Sequence, residues 1–317
     1  MKNTIYTALA LVLILLVAPL ISMSADGKVV KVEEKATAVY AQAKIKTETF
    51  NLLLADTKEV IKISAEDYVF GVVAAEMPAL YETEALKAQA VAAYSFAVRR
   101  KAENKDREYD ISTDPNVDQA YISKEAAAEK WGENAAAYTD KILGAVKAVS
   151  GKTVNYKGEV ALTLYHAISS GKTENAKAVW GGDIKYLVSV DSVSDKLSPD
   201  YFSSLELTGD ELNEKLDTSL EFSGNAEDIK VTEQTEIGTV KKIKICKKEI
   251  SVNTLREKLG LRSTNFTVNY KDGKYIFNVK GYGHGVGMSQ YGANYMAKQG
   301  ADYIEILEHY YKGAKVK

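Results

Sequence analysis

An alanine-rich stretch in the first third of the chain decides the fold, and residues 83–97 read Thr83-Glu84-Ala85-Leu86-Lys87-Ala88-Gln89-Ala90-Val91-Ala92-Ala93-Tyr94-Ser95-Phe96-Ala97. Alanine is the strongest helix former, and small or apolar residues occupy more than one side of this segment. A helix that is apolar on several sides belongs in the interior. We therefore predict a central core helix over residues 84–105, capped by Thr83.

Helical and strand patterns alternate on both sides of this helix without a regular βαβ rhythm. Ser64, with Asp67 three residues on, predicts the N-terminus of a helix that ends at Glu76 before Pro78. Further helices are predicted at 124–149, 210–216, 254–259, 289–299 and 302–310. Strands are predicted at 38–54 and 58–63, and hairpins at 153–168 and 266–279. This order favours an α+β fold of mixed strands and helices around one large core.

Composition narrows the class of protein. Lys and Arg number 41 against 43 Asp and Glu, so no overall field favours nucleic acid. Cys246 is the only cysteine of the 317 residues, which excludes an intrachain disulfide framework and a cysteine-rich zinc site. The 20 tyrosines suit half-buried strands and also carbohydrate-facing surfaces.

The N-terminus predicts membrane targeting. Lys2 precedes an apolar run, and the 19 residues from Ile5 to Met23 approach the ~20 that span a bilayer. We expect residues 1–24 to form a retained transmembrane anchor, with a cleaved signal peptide and secretion as the alternative. Residues 25–36 are expected to form an exposed stalk. Residues 37–317 would then form an extracytoplasmic domain with a variable insertion near 192–228, behind a cytoplasmic N-terminus.

A glycine-rich segment marks the first candidate site: residues 281–292 read Gly281-Tyr282-Gly283-His284-Gly285-Val286-Gly287-Met288-Ser289-Gln290-Tyr291-Gly292. Glycines at this density indicate unusual dihedrals or the close approach of another group. The spacing does not match G-x-G-x-x-G, and two Gly-Lys-Thr sequences elsewhere lack the first glycine of a phosphate loop. A buried structural histidine remains an alternative for His284.

Other catalytic constellations are poorly supported. His166, His284 and His309 lie far apart, so helical zinc-ligand spacing is absent, although distant residues could still combine around a metal. Ser169 and Ser170 lack a G-x-S-x-G elbow. The polar stretch after His166 could line a cleft or could be an ordinary exit from a strand.

Glu76 is the strongest candidate for acid chemistry. It lies in Val72-Val73-Ala74-Ala75-Glu76-Met77-Pro78, and burial among apolar groups raises a carboxyl pKa towards neutrality. A general acid for glycosidic cleavage needs this environment. A capping or salt-bridged structural glutamate would also suit the end of a helix.

Three blocks in this order, residues 66–93, 166–175 and 281–293, resemble the stage II sporulation protein D family, which also includes LytB-type amidase enhancers. The resemblance covers roughly residues 45–315. It implies a peptidoglycan lytic transglycosylase that cleaves glycan strands already stripped of stem peptides, forms 1,6-anhydromuramyl products, and remodels septal wall during engulfment.

The resemblance also implies roles for particular residues. Glu76 corresponds to the catalytic glutamate, acting first as acid and then as base. We predict that substrate is bound by Lys87, Gln89, His166, Ser169, Ser170, Thr173, His284, Ser289, Gln290 and Tyr291. No cofactor is expected.

At two places the sequence departs from the family pattern, so the roles of those family residues are not transferred to this chain. Tyr94 stands where many members have arginine. Some members bind a metal through cysteine and histidine in the loop matching residues 110–121, where this chain has neither, so we predict no metal site.

Implied partners are peptidoglycan strands, a cell-wall amidase and a membrane scaffold protein of the engulfment machinery, with the bulk of the protein in the septal intermembrane space. The alternative function is a peptidoglycan-binding activator of an N-acetylmuramoyl-L-alanine amidase that does no chemistry itself.

Overall fold

The computed structural model describes residues 48–317. The predicted anchor, the predicted stalk and most of the predicted strand 38–54 lie outside the described residues. Within residues 48–317, no helix has both the length and the apolar character needed to cross a bilayer.

Helices and strands are mixed along the described chain, which confirms the α+β class. The helices are α1 (Ala65–Glu76), α2 (Thr83–Glu103), α3 (Lys124–Trp131), α4 (Ala135–Ala148), α5 (Ala176–Trp180), α6 (Gly209–Leu216), α7 (Val252–Leu259), α8 (Gln290–Lys298) and α9 (Tyr303–Tyr310). Short 3-10 helices lie at Gly132–Asn134, Val193–Leu197 and Ala226–Asp228.

The strands form several small sheets. They are β1 (Thr49–Leu53), β2 (Val60–Ser64), β3 (Ile111–Ser112), β4 (Val154–Tyr156), β5 (Glu159–Val160), β6 (Tyr165–His166), β7 (Phe202–Leu207), β8 (Ile229–Gln234), β9 (Val240–Ile245), β10 (Lys248–Ile250), β11 (Phe266–Lys271), β12 (Lys274–Lys280), β13 (Met288–Ser289) and β14 (Lys315–Val316). The sheet orders are β2-β1-β3, β14-β4-β5, β13-β6, β11-β12-β7 and β10-β9-β8.

Helix α2 is the central element, as its composition predicts. It packs against α1, α4, α8 and α9, and its alanines between Ala85 and Ala97 are buried. Small side chains let the surrounding helices approach closely. The N-cap differs from the prediction: Glu82 precedes the helix, and Thr83 is its first residue. The Glu82 N–H donates to Asn294 Oδ1 at 2.8 Å, so a tertiary contact satisfies it.

The predicted single helix over 124–149 is wrong, because the structure has two helices there. Gly132 ends α3 with a φ of +55°, and a 3-10 turn leads into α4. A glycine inside a helical pattern does not by itself reveal that the chain turns. Trp131 explains the change of direction, since its ring packs edge-on against Phe70 at 6.3 Å and Tyr138 at 5.8 Å.

Residues 202–280 build a second apolar cluster. It includes Leu207, Ile243, Leu255 and Phe277, all buried. Strand β7 was not predicted, yet it pairs antiparallel with β12 along its whole length. Part of the predicted insertion at 192–228 is therefore integral to a sheet. The predicted hairpin β11–β12 is confirmed, with its turn at Asp272-Gly273.

The hairpin predicted at 153–168 is correct only in its first half. Strands β4 and β5 pair around Lys157 and Gly158, but β6 leaves this sheet and pairs in parallel with β13. The β6–β13 register places His166 opposite Ser289. This short pairing joins two distant predicted blocks and positions the candidate site.

Candidate active site

Glu76 is the last residue of α1. Ser64 caps the other end of this helix by accepting the Asp67 N–H at 3.1 Å, as predicted. Met77 is extended, and Pro78 follows, so the helix cannot continue. The helix therefore delivers a partly buried carboxyl group to the edge of the core.

One oxygen of Glu76 is held by two donors. The Ala120 N–H donates to Oε1 at 3.1 Å, and the Tyr165 hydroxyl donates to the same oxygen at 3.4 Å. No residue within 48–317 donates a hydrogen bond to Oε2. The carboxyl group is thus oriented through one oxygen while the other is left for a ligand.

A buried relay supports these donors. The Tyr68 hydroxyl donates to Gln119 Oε1 at 2.9 Å, and Gln119 Nε2 donates to the Tyr165 hydroxyl at 2.8 Å. These bonds fix the Gln119 amide orientation and direct the Tyr165 proton towards Glu76. Tyr68 and Gln119 were not predicted as site residues, because a helix interior and an ordinary loop give no local signal for such a role.

The loop carrying Gln119 and Ala120 is attached to α2. Asp118 Oδ1 lies 2.6 Å from Arg100 Nε, and Oδ2 accepts the Ser112 N–H at 2.8 Å. The Asp118 side chain is fully buried, so both of its oxygens are occupied by protein partners. This loop matches the one in which some family members bind a metal. Its residues do not fit such a site, because Asp118 is committed to Arg100 and the loop has no cysteine or histidine.

Burial raises the pKa of Glu76, and the hydrogen bonds from Ala120 and Tyr165 oppose this effect by stabilising the carboxylate. The direction predicted from the apolar sequence around Glu76 is confirmed. A carboxyl group with a raised pKa keeps its proton closer to neutral pH and can act as a general acid.

The glycine-rich segment runs directly against β6. A Cβ on Gly287 would lie 2.0 Å from the Leu164 carbonyl oxygen, and one on Gly283 would lie 2.8 Å from the His166 Cβ. Both glycines have positive φ, +77° and +105°. Glycine is therefore required by close backbone packing. The segment forms a wall of the site, as its composition suggested.

The two histidines at this wall are neutral. His166 Nδ1 lies 3.2 Å from the Val286 carbonyl, which can only accept, so Nδ1 carries the proton. Its Nε2 is a buried acceptor with no partner among residues 48–317. Burial lowers the pKa of His166 to about 3 and that of His284 to about 4. Near neutral pH neither imidazole is in its protonated, cationic form, so neither histidine can act as a general acid.

These groups surround a cleft of about 560 Å³. Its wall is made of Glu76, Phe96, Pro115, Asn116, Asp118, Gln119, Ala120, Thr163, Leu164, Tyr165, His166, Ala167, Arg256, Tyr282, Gly283, His284 and Gln290. Residues from six separate stretches of the chain thus meet, and four of the predicted site residues are among them: Glu76, His166, His284 and Gln290. Gln89 is fully buried behind the wall, where its Oε1 accepts from Gln290 Nε2 at 3.3 Å.

Three predicted substrate-binding residues are interior instead. Ser169 and Ser289 are buried beside Asp195, whose Oδ2 accepts the Ser169 N–H at 2.6 Å. Ser289 also caps α8 by accepting the Gly292 N–H at 3.2 Å. Thr173 is buried and bonds to the backbone of Val190. In these positions the three side chains are enclosed within the protein and support the wall from behind.

The remaining predicted residues lie away from the cleft wall. Lys87 forms an ion pair with Glu84 at 2.6 Å. Ser170 accepts the Tyr201 hydroxyl on its carbonyl, and the Tyr291 N–H donates to the Ala167 carbonyl. Tyr94, which replaces the family arginine, packs edge-on against Phe50 at 6.4 Å.

Comparisons with known proteins support the family resemblance. A family profile described as "Stage II sporulation protein" matches residues 55–156, which include Glu76 and the loop at 113–122. Stage II sporulation protein D of Bacillus amyloliquefaciens is 40% identical over 260 residues, covering 81% of this chain and 75% of that protein.

Two further relatives extend this result. Stage II sporulation protein D of Bacillus subtilis (strain 168) is 37% identical over 262 residues, covering 82% of this chain and 76% of that protein. An amidase enhancer of the same strain is 28% identical over 295 residues, covering 77% of this chain and 39% of the enhancer. On the similarity to the two sporulation proteins, this chain belongs to the stage II sporulation protein D family.

Proposed function

We propose that this protein is a lytic transglycosylase that cleaves peptidoglycan glycan strands from which stem peptides have been removed. One observation carries the proposal: of the two carboxyl groups in the cleft wall, only Glu76 has an oxygen without a protein partner among residues 48–317. The other, Asp118, is engaged by Arg100 and by the Ser112 N–H.

A single acid suits this reaction. Glu76 gives its proton to the glycosidic oxygen as the bond from that oxygen to the muramyl C1 breaks. The resulting carboxylate then removes the proton of the 6-hydroxyl while that oxygen attacks C1. The 1,6-anhydro ring closes, the leaving sugar keeps the first proton, and Glu76 regains a proton from the 6-hydroxyl.

The surrounding groups favour this double role. The Ala120 N–H and the Tyr165 hydroxyl hold Oε1 in both protonation states, so the carboxyl group need not reorient between the two steps. A hydrolase with paired carboxylates would need a second free carboxyl group in the cleft. Asp118 is unsuited to that role because its side chain is buried and ion-paired.

The decisive experiment compares the wild type with Glu76→Gln on amidase-treated cell wall and follows anhydromuropeptides by chromatography with mass detection. We expect Glu76→Gln to lower their release by at least about 100-fold, because the proton donor is lost. Glu66→Gln is a matched control on the same helix and should retain activity, since the ion pair that Glu66 makes within residues 48–317 is a long one, 3.9 Å to Lys147. Full release by Glu76→Gln would refute the catalytic role.

A second candidate function is activation of a cell-wall amidase, favoured by the similarity to the amidase enhancer. Glu76→Gln separates the two functions, because an activator that does no chemistry would keep both wall binding and amidase stimulation. Loss of anhydromuropeptides with retained stimulation would show that both functions coexist in one protein.

The cellular setting is part of the same proposal. We place the bulk of the chain outside the cytoplasm, in the septal intermembrane space of a sporulating cell, held by the segment 1–24. Its partners there would be glycan strands, an amidase and a membrane scaffold protein. The N-terminal sequence of the mature protein distinguishes a retained anchor from a cleaved signal, and fractionation shows whether the protein stays with the membrane.

A further inference from the structure

Among residues 48–317, Arg256 is the only lysine or arginine that lines the cleft. It projects from α7 and is held by two backbone carbonyls: Nε donates to Leu261 O at 3.2 Å, and Nη2 donates to Arg262 O at 3.2 Å. Its Nη1 has no acceptor within residues 48–317. The guanidinium is therefore fixed in place with one end unused.

No carboxylate of the described residues forms an ion pair with Arg256. Two other arginines differ: Arg262 pairs with Asp200 at 3.0 Å, and Arg100 pairs with Asp118 at 2.6 Å. Burial lowers the pKa of the Arg256 guanidinium, which is the sign of a cation taken out of water without an anionic partner. Such a group is complementary to an anion supplied by a ligand.

Arg256 lies in the same cleft wall as His284 and Tyr282. Its charge contributes to the lowered pKa of His284, and His284 and Tyr282 are wall residues. An anion at Arg256 would therefore belong to a ligand in the same cleft as Glu76. Protonated Glu76 is uncharged and would not repel it.

We propose that Arg256 forms a carboxylate subsite that binds the free lactyl carboxylate of a muramyl residue. The inference rests on the proposed function, because it assigns a group of that substrate. In a strand that carries stem peptides, this carboxyl group is an amide and has no charge. Removal of the peptide creates the anion. The subsite thereby gives a physical reason for preferring stripped strands: the cation distinguishes a carboxylate from an amide at one position.

The test measures binding in a Glu76→Gln background, so that strands are not cut. Two probes are used: peptide-free glycan strands, and the same strands after their lactyl carboxylates have been converted to methylamides. We expect full-length protein to bind the carboxylate form about 10- to 100-fold more tightly than the amide form. Arg256→Gln should bind both forms equally, and Arg256→Lys should keep a reduced preference.

The amide probe also controls for folding, since Arg256→Gln should bind it as well as the parent does. Lys258→Gln, on the same helix with its Nζ donating to the Leu216 carbonyl, should keep the full preference. Equal binding of the two probes by the parent, or an undiminished preference in Arg256→Gln, would overturn the proposal. The two proposals can fail separately. Strand cleavage by Glu76→Gln would refute the catalytic role of Glu76, whereas the ratio of affinities for the carboxylate and methylamide probes tests Arg256.

Discussion

Arg100 and Asp118 form an ion pair of 2.6 Å that attaches the loop at 113–122 to the central helix α2. Asp118 lies two residues before Ala120, whose N–H contacts Glu76. Arg100 is also bonded to Glu103, one turn further along α2. The geometry of the acid thus depends on a contact between residues outside its own hydrogen-bonding shell.

This relationship predicts a positioning effect. Arg100→Met should lower kcat by up to about tenfold with little change in KM, because the loop no longer holds Ala120 against Glu76. Losing the Ala120 N–H also removes a contact that lowers the pKa of Glu76. The basic limb of the pH–rate profile should therefore move to higher pH, and Arg100→Lys should restore part of the effect. Arg99→Met is the control. An unchanged pH profile in Arg100→Met would contradict the positioning role.

A second prediction concerns the hydroxyl that contacts the acid. Tyr165→Phe removes the donor to Glu76 Oε1 and leaves Gln119 Nε2 without its acceptor. The pKa of Glu76 should rise further, so activity should persist to higher pH. Stability should fall by roughly 1–2 kcal/mol because a buried amide loses its partner. Rate profiles and urea unfolding measure the two effects, and Tyr156→Phe should show neither.

Glu76→Gln should change stability in a pH-dependent way. Burial raises the pKa of Glu76 in the folded state above its value in the unfolded chain. Between these two pKa values the folded state binds more protons than the unfolded state, so the free energy of unfolding falls as the pH rises through this interval. The free energy of unfolding of Glu76→Gln, relative to that of the wild type, should therefore be higher at neutral pH than at acidic pH. Urea unfolding at several pH values checks this, and the opposite slope would show that Glu76 is stabilised as a carboxylate.

The histidines predict acid sensitivity of the fold. In the unfolded chain their pKa lies near 6.5, whereas burial lowers it to about 3 in His166 and about 4 in His284. The unfolded state binds more protons in that interval, so stability falls as pH drops from about 6.5 towards 3. His166→Gln should reduce this slope by as much as about 1.4 kcal/mol per pH unit. A slope identical to that of the wild type would show that His166 is not buried in its neutral form.

Gly287→Ala tests the close contact between the glycine-rich segment and β6. The new Cβ would overlap the Leu164 carbonyl oxygen, in addition to the strain of positive φ, so we expect a loss of at least about 3 kcal/mol or failure to fold. Gly158→Ala separates the two effects: its φ is +92°, but within residues 48–317 no atom beyond its two chain neighbours lies within 4 Å of the point that an alanine Cβ would occupy. Strain alone should therefore cost about 1–2 kcal/mol. Similar losses at both positions would exclude the steric explanation.

Sequence patterns predicted the elements that depend on nearby residues. Ser64 caps a helix as expected, and the hairpin predicted at 266–279 turns at Asp272-Gly273. The break between α3 and α4 could not be predicted, because it depends on where Trp131 packs against Phe70. Strand β7 was missed for a related reason: Ser203, Ser204 and Glu206 weaken its apolar pattern, and the strand depends on pairing with β12.

The residues of the candidate site likewise fall into those that sequence could predict and those that it could not. Glu76 could be found because its apolar neighbours lie beside it in sequence, and Gly281 to Gly287 because their spacing is unusual. Ser169, Thr173 and Ser289 were expected to face substrate, but polar residues in a signature segment also form buried supports, and sequence alone does not distinguish these cases.

By itself, the sequence determined the central helix α2, the α+β class, the end of α1 at Glu76 and the need for glycine near Gly287. These features follow from propensity, periodicity and backbone dihedrals, which act over a few residues. Only the tertiary structure decided which groups meet Glu76. The Ala120 N–H and the Tyr165 hydroxyl that contact Glu76, and the Arg256 side chain in the same cleft wall, come from segments far apart in the chain, and only the folding of the whole chain brings them to one cleft.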